Sequence, residues 1–329
     1  MINYEMFKEE VKNEILGYMP EEFKNASVEI REFDKVNYTI EELVIQPQKE
    51  QETTRTITPC ITLPQFYEMY KENQDFEECM INLAGIYSMA FSELPDINKA
   101  VDQNYIKENI IMMVVNTNQN MEQLERSPHR EVCDLSIVYR VMMGEHKQSV
   151  SSVQVTHDVA DQMGLNEQEL YDLARSNMKR LLKPTVQGMT TVISEILSES
   201  EMGTLDIDKE ERMFVISNTE KMYGAVNMLF PENLAPLANT LGCDLYILPS
   251  SIHETIAVPE HVADLEMLSE MVYDINMAQV EIGERLSNEV YHYNHLTKEL
   301  TQATDVPNKD ISGGEVFPMP SFEEQERGR

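Results

Sequence analysis

Hydrophobic positions along this chain recur at two spacings, and the switches between them outline the fold. Tyr4, Phe7, Val11 and Ile15 repeat at helical spacing, so the chain opens with an amphipathic helix. From Ser27 to Leu63 the pattern shortens. Val28 and Ile30, Val44 and Ile45, then Ile57 and Ile61 fall in β-prone segments divided by polar residues, which predicts a small antiparallel meander. Thr62 and Gln65, with Pro64 between them, read as a capping box opening a helix through Phe66, Tyr67 and Tyr70. Another helix runs from Phe76 through Met80, Leu83 and Tyr87 to Phe91. Ile110 to Val115, IIMMVV, has no polar gap and predicts a strand buried on both faces. A polar helical segment around Met121 and Leu124 follows, then a charged turn, then a β-prone run from Leu135 to Met143.

The second half begins after GEHKQSVSS, Gly144 to Ser152, a polar stretch that predicts a boundary between two lobes. Asn166 and Glu169 mark a helix start, with Leu170, Leu173, Ala174 and Leu181 as its apolar stripe. A further helix is expected over Val186 to Leu197. ERMFVISN then reads as a strand, followed by a helical crossover containing Pro231 and Pro236. Leu245 to Leu248 is the next strand, PSSIHE a turn, and Thr255 to Val258 β-prone again. Leu265, Leu268, Val272 and Ile275 mark one more helix, and periodicity stops near Thr301. The predicted class is α+β (mixed α/β), with mixed sheet elements packed against amphipathic helices in two lobes, 1–145 and 146–300. Residues 301–329 are expected to form a disordered tail.

Composition narrows the function classes. The chain of 329 residues carries 58 acidic and 26 basic side chains, a net charge of −32. That opposes binding to nucleic acid or to an anionic membrane surface and favours, if anything, a basic protein partner. No apolar run reaches the length of a membrane span. The 22 methionines read first as flexible core filling, with a Met-rich binding groove as the rarer alternative. Cys60, Cys79, Cys133 and Cys243 show no CxxC spacing, so buried free thiols in the cytoplasm are expected.

Three segments carry candidate chemistry. In LPSSIHE, Ser250 or Ser251 with His253 and a carboxylate from outside the segment offers a nucleophile, a base and its orienting group, with Glu254 next to the histidine. Adjacent side chains on a strand point to opposite faces, however, and neither GxSxG nor HExxH is present. The alternative is a turn in which the serines bond their own backbone and His253 ties it to a neighbour. In PHREVCD, His129 and Glu131 are candidates for proton transfer and Arg130 for gripping an anion, with Asp134 close by. The competing reading is an Arg–Glu ion pair that pins a strand entrance. In SNTEKMYGA, Asn218, Lys221 and Gly224 form a strand-to-helix loop able to offer amides to an anion, or else an ordinary turn with Gly224 as a close packing point. His292 and His295, with His253 or His261, are weighed as metal ligands and set aside, because no carboxylate or Cys lies at supporting spacing in their segment. No metal or cofactor is expected.

PHREVCDLSIVYRVMM, and the region from MFVISNTEKMYGAVNMLF to CDLYILPSSIHETIAVP, resemble an uncharacterised family, domain of unknown function 5688. TITPCITLPQFYEMY and NEQELYDLA extend the resemblance to about Leu300. It implies a cytoplasmic, accessory or mobile-element-associated protein of anaerobic Gram-positive bacteria, and no reaction. The expected function is binding or protein interaction without catalysis. The alternative is a hydrolase-like enzyme whose site joins the PHRE and PSSIHE segments.

Overall fold

A computed structural model describes residues 2–48, 58–94, 99, 102–146, 149–196 and 212–313. Ile57, the end of the helix expected to reach Leu197, and the tail beyond Gly313 lie outside the described residues. The fold is α+β, and the paired strands form three antiparallel sheets. Among the described residues, no helix is long and apolar enough to cross a membrane.

The chain divides into two compact units. Among the described residues, the first comprises 2–35 and 39–99, the second Val36–Tyr38 and 102–313. The division therefore falls near residue 101, not at 145. Residues 145 and 146 lie within a strand that continues its pairing into the next one, so the polar stretch is part of a hairpin.

In the first unit, α1 (Tyr4–Glu14), α2 (Pro64–Asn73) and α3 (Phe76–Ser92) accompany the meander β1 (Ser27–Lys35), β2 (Tyr38–Gln46) and β3 (Cys60–Thr62). The helical stripe Phe7, Val11 and Ile15 packs with Leu43 and Ile45 of β2 and with Met80, Leu83 and Tyr87 of α3. The buried Tyr87 hydroxyl donates to the Ile45 carbonyl at 2.8 Å and accepts from its amide at 2.7 Å, so the core keeps a polar group without a desolvation penalty. The expected Thr62 capping box does not form. The cap position is Leu63, and the Thr62 hydroxyl instead donates to Glu42 at 3.3 Å.

The second unit holds two sheets. In one, the long strand β6 (Leu135–His146) has β4 (Ile110–Asn116) on one edge and both β5 (His129–Val132) and β7 (Ser149–Gln154) on the other. β4 is buried at every position, as its unbroken apolar run predicts. PHRE, expected as a turn, is strand β5. After the short helices α4 (Gln103–Asn109), α5 (Met121–Glu125) and α6 (His157–Met163), helix α7 (Glu167–Leu181) starts at the predicted capping box of Asn166 and Glu169 and buries Leu170, Ala174 and Met178.

The other sheet has the order β13-β12-β10-β11-β9-β8. Its strands are β8 (Pro184–Gly188), β9 (Phe214–Asn218), β10 (Leu245–Leu248), β11 (Thr255–Pro259), β12 (Tyr291–Tyr293) and β13 (Leu300–Gln302). Residues 184–188 pair with β9, so the helix expected from Val186 begins only at Met189, as α8 (Met189–Ile196). Helix α9 (Pro231–Leu241) carries the predicted crossover from β9 to β10, with Pro231 in its first turn. β11 is then inserted antiparallel between those two strands. One face of the sheet packs Leu248 and Val258 against Leu268 and Val272 of α10 (Leu265–Gln279).

The expected disorder from residue 301 is corrected as far as Gly313. Gln302 pairs with Tyr291, the Ala303 amide donates to the Val290 carbonyl, and Ile311 is fully buried. Backbone pairing and one buried anchor hold a segment that lacks amphipathic periodicity. All four cysteines are free thiols, but only Cys79 is buried: Cys60 and Cys243 are half-buried and Cys133 is exposed.

Candidate functional site

The six residues between β10 and β11 form a turn organised by Ser251. Its Oγ accepts from the amides of His253 at 3.0 Å and Glu254 at 3.3 Å, and its own amide donates to the Glu254 carbonyl. His253 then joins the turn to its surroundings. Its carbonyl accepts from Ser217 Oγ at 2.8 Å, and ring Nδ1 accepts from the Tyr223 amide at 3.2 Å. Nε2 lies 3.3 Å from Glu284 Oε1. An Nδ1 that accepts a backbone N–H carries no proton, so the ring proton sits on Nε2 and faces Glu284. That hydrogen bond holds the Glu284 carboxyl below its ordinary pKa. Both ring nitrogens are thus engaged, and neither serine is bonded to the imidazole. Ser250 donates only its amide, to the Leu248 carbonyl, and Glu254 likewise contributes backbone only among the described bonds.

Asn218 closes the strand-exit loop on itself. Its Oδ1 accepts from the amides of Glu220 and Met222, and its Nδ2 donates to the Met222 carbonyl at 2.6 Å. The amides of Glu220, Lys221, Met222 and Tyr223 are thus engaged by Asn218 and His253 and are not offered to an anion. Lys221 extends toward Glu195 at 3.9 Å. Gly224 packs so tightly that a Cβ there would stand 2.5 Å from the His253 carbonyl and 2.7 Å from Ser217 Cα.

β5 separates the PHRE side chains, because alternate residues face opposite ways. Arg130 points with Tyr139 toward α7 and grips Glu167 with two bonds of 3.0 and 2.8 Å, while its guanidinium lies 3.9 Å from the Tyr171 ring. The Tyr139 hydroxyl, on a fully buried ring, also donates to Glu167. The ion pair is therefore real, but the partner is Glu167, not Glu131. His129 Nδ1 meets the Ser127 carbonyl at 2.9 Å, and Glu131 is exposed. Asp134 accepts from Ser287 and from Tyr291, each at 2.6 Å, and burial holds the Tyr291 phenol well above its ordinary pKa. PHRE and PSSIHE have separate sets of partners, and no described hydrogen bond or ion pair joins them.

A third cluster was not readable from spacing. Asp244 precedes β10, Glu260 follows β11 and His292 is the middle of β12. The register of Tyr246 opposite both His292 and Val258 puts all three side chains on one sheet face. Their ligand atoms lie within 4.8 Å of one another. His292 Nε2 is 3.2 Å from Asp244 Oδ2 and 3.8 Å from Glu260 Oε1. Asp244 is held by the His295 amide at 2.9 Å, the His295 ring and the Asn294 side chain at 3.2 Å, and the two His295 bonds, led by its backbone amide, lower the Asp244 pKa. The supporting carboxylates lacking near His292 in sequence are supplied by neighbouring strands. The missing signal was β12 itself, a three-residue strand too short for alternation to reveal.

The same sheet face carries a part-open apolar cavity of about 240 Å³ at its other end, lined by Met189, Met213, Leu248, Ile256, Met271 and Ile275. Ser250 and Asn276 are its polar contributions. Helix α10 exposes Met267 beyond the cavity and part of Ile275 at its mouth, four residues either side of Met271, so one apolar stripe leads into the cavity. Glu270 and Asp274, both exposed and one turn apart, form the neighbouring row on one side of that stripe.

No curated protein and no solved structure matches the chain. The family of unknown function (DUF5688) matches residues 4–295, nearly the whole described length, and the chain belongs to that family.

Proposed function

We propose that this chain is a non-catalytic binding protein of the bacterial cytoplasm. Its recognition surface is the Met-lined cavity with the α10 stripe, and its partner is a basic protein segment that inserts an apolar side chain. The observation that carries this reading is the Met267–Met271–Ile275 stripe running into the cavity with Glu270 and Asp274 alongside it on the same helix. A 240 Å³ volume accommodates a leucine or phenylalanine side chain, since an apolar cavity of about 150 Å³ already holds benzene. Methionine linings adapt to different side-chain shapes. Burying one such anchor contributes about 1.5–3 kcal/mol, too little for stable association alone. The exposed stripe and the acidic flanks supply the remainder, and the −32 net charge draws a basic partner in. The internal bonding of His253, Arg130 and Asn218 supports a structural role for those residues, and four free thiols suit a reducing compartment.

Fluorescence anisotropy with a lysine-flanked peptide carrying one central phenylalanine tests the proposal. Saturable binding that weakens with rising salt, and weakens again in the Glu270→Gln, Asp274→Asn double variant, is expected. Binding indifferent to salt and to these substitutions would contradict it.

A further inference from the structure

We propose that Asp244, Glu260 and His292 form a binding site for a divalent first-row transition ion of the zinc type, separate from the α10 surface. Three features of the cluster converge on a cation. The donor set is one imidazole nitrogen and two carboxylates, whose two negative charges balance a divalent ion when the histidine is neutral.

The spacing is right for coordination. Tetrahedral bonds of about 2.0–2.2 Å place ligand atoms roughly 3.3–3.6 Å apart. The His292–Asp244 and His292–Glu260 separations of 3.2 and 3.8 Å bracket that edge length. Glu260 needs the largest adjustment, and its side chain is 48% exposed and free to turn. Two ligands come from the ends of adjacent antiparallel strands, with the Glu260 amide bonded to the Asp244 carbonyl, so the backbone fixes their separation before any ion arrives.

The support around the ligands is also of the kind metal sites use. Asp244 is oriented by donors from the turn after β12, namely the His295 amide and ring and the Asn294 side chain. Hydrogen bonds of this sort fix a ligating carboxylate and tune its basicity. His295 is accordingly a positioning residue: its ring is committed to Asp244. Three protein ligands leave the fourth position to water or to a ligand, and the ion would tie β10, β11 and β12 together at their shared end.

The test uses the full chain, stripped with a chelator and titrated with Zn²⁺ or Co²⁺ at neutral pH in roughly 0.3 M salt, which suppresses loose binding to the acidic surface. One tightly bound ion per chain is expected, with the intense visible absorption of four-coordinate Co²⁺. Glu260→Gln and His292→Ala should each lower affinity at least about tenfold, and His295→Gln should weaken it while leaving the Co²⁺ band in place. Glu260→Gln only exchanges a carboxylate for an amide on a half-exposed side chain, and an unchanged far-UV circular dichroism spectrum establishes that it folds. If wild type binds no more metal than Glu260→Gln, the cluster is an ion-pair network and the proposal fails.

Discussion

His253 Nε2 stands 3.3 Å from Glu284 Oε1, with Nδ1 occupied by the Tyr223 amide, so the histidine bridges a turn, a loop and a distant carboxylate. The bridge has a pH signature. The hydrogen bond from His253 lowers the Glu284 pKa in the folded protein, so its stabilisation is present above the unfolded carboxyl value and is lost as pH falls through the folded one. Thermal unfolding from neutral pH down to about 3 should show Glu284→Gln less stable than wild type at neutrality, with the gap closing below about pH 4. A gap that stays constant over this range would mean that the carboxylate charge plays no part.

Gly224 meets the same turn from the other side. A Cβ placed 2.5 Å from the His253 carbonyl and from Ser217 Oγ forces the β9 loop and the PSSIHE turn apart. Gly224→Ala should cost about 2–3 kcal/mol in urea unfolding, as an overpacked core position does. A change within about 0.5 kcal/mol would show that the two segments yield freely.

The PHRE strand gives a contrast between neighbouring residues. Glu167→Ala removes the carboxylate from the Arg130 fork, leaving it the Gln168 side chain, and takes the acceptor from the buried Tyr139 hydroxyl. It should destabilise the protein by about 2–3 kcal/mol, and Arg130→Lys should lose part of the same energy because the ammonium cannot reproduce the two-point grip. Glu131→Ala, on the exposed face of the same strand, should stay within about 0.5 kcal/mol. Equal effects at Glu131 and Glu167 would contradict the assignment of the pair.

The legible parts of this fold are those with local causes. The Asn166–Glu169 capping box, the unbroken IIMMVV strand and the Ser251 turn each follow from residues close in sequence. Gly224 was also readable as a packing point. What escaped depends on partners brought together by sheet order. Glu167 pairs with Arg130 across 37 residues, and Asp244 reaches His295 across 51. Short strands such as Tyr291–Tyr293 carry no periodicity of their own, so neither the ordered segment up to Gly313 nor the carboxylates around His292 were visible in spacing. The cavity is subtler still: Met189, Met213, Met271 and Ile275 are apolar residues like those of any core, and only the packing leaves space between them.

The most direct measurement of the recognition surface is methyl NMR on protein carrying ¹³C-labelled methionine methyls, titrated with the lysine-flanked phenylalanine peptide. The resonances of Met189, Met213, Met271 and the exposed Met267 should shift together and saturate together. Ile275→Trp, which fills the cavity mouth from a position already 41% exposed, should abolish those shifts without unfolding the chain. Shifts confined to methionines elsewhere, or shifts that persist unchanged in Ile275→Trp, would contradict the assignment of this cavity as the binding site.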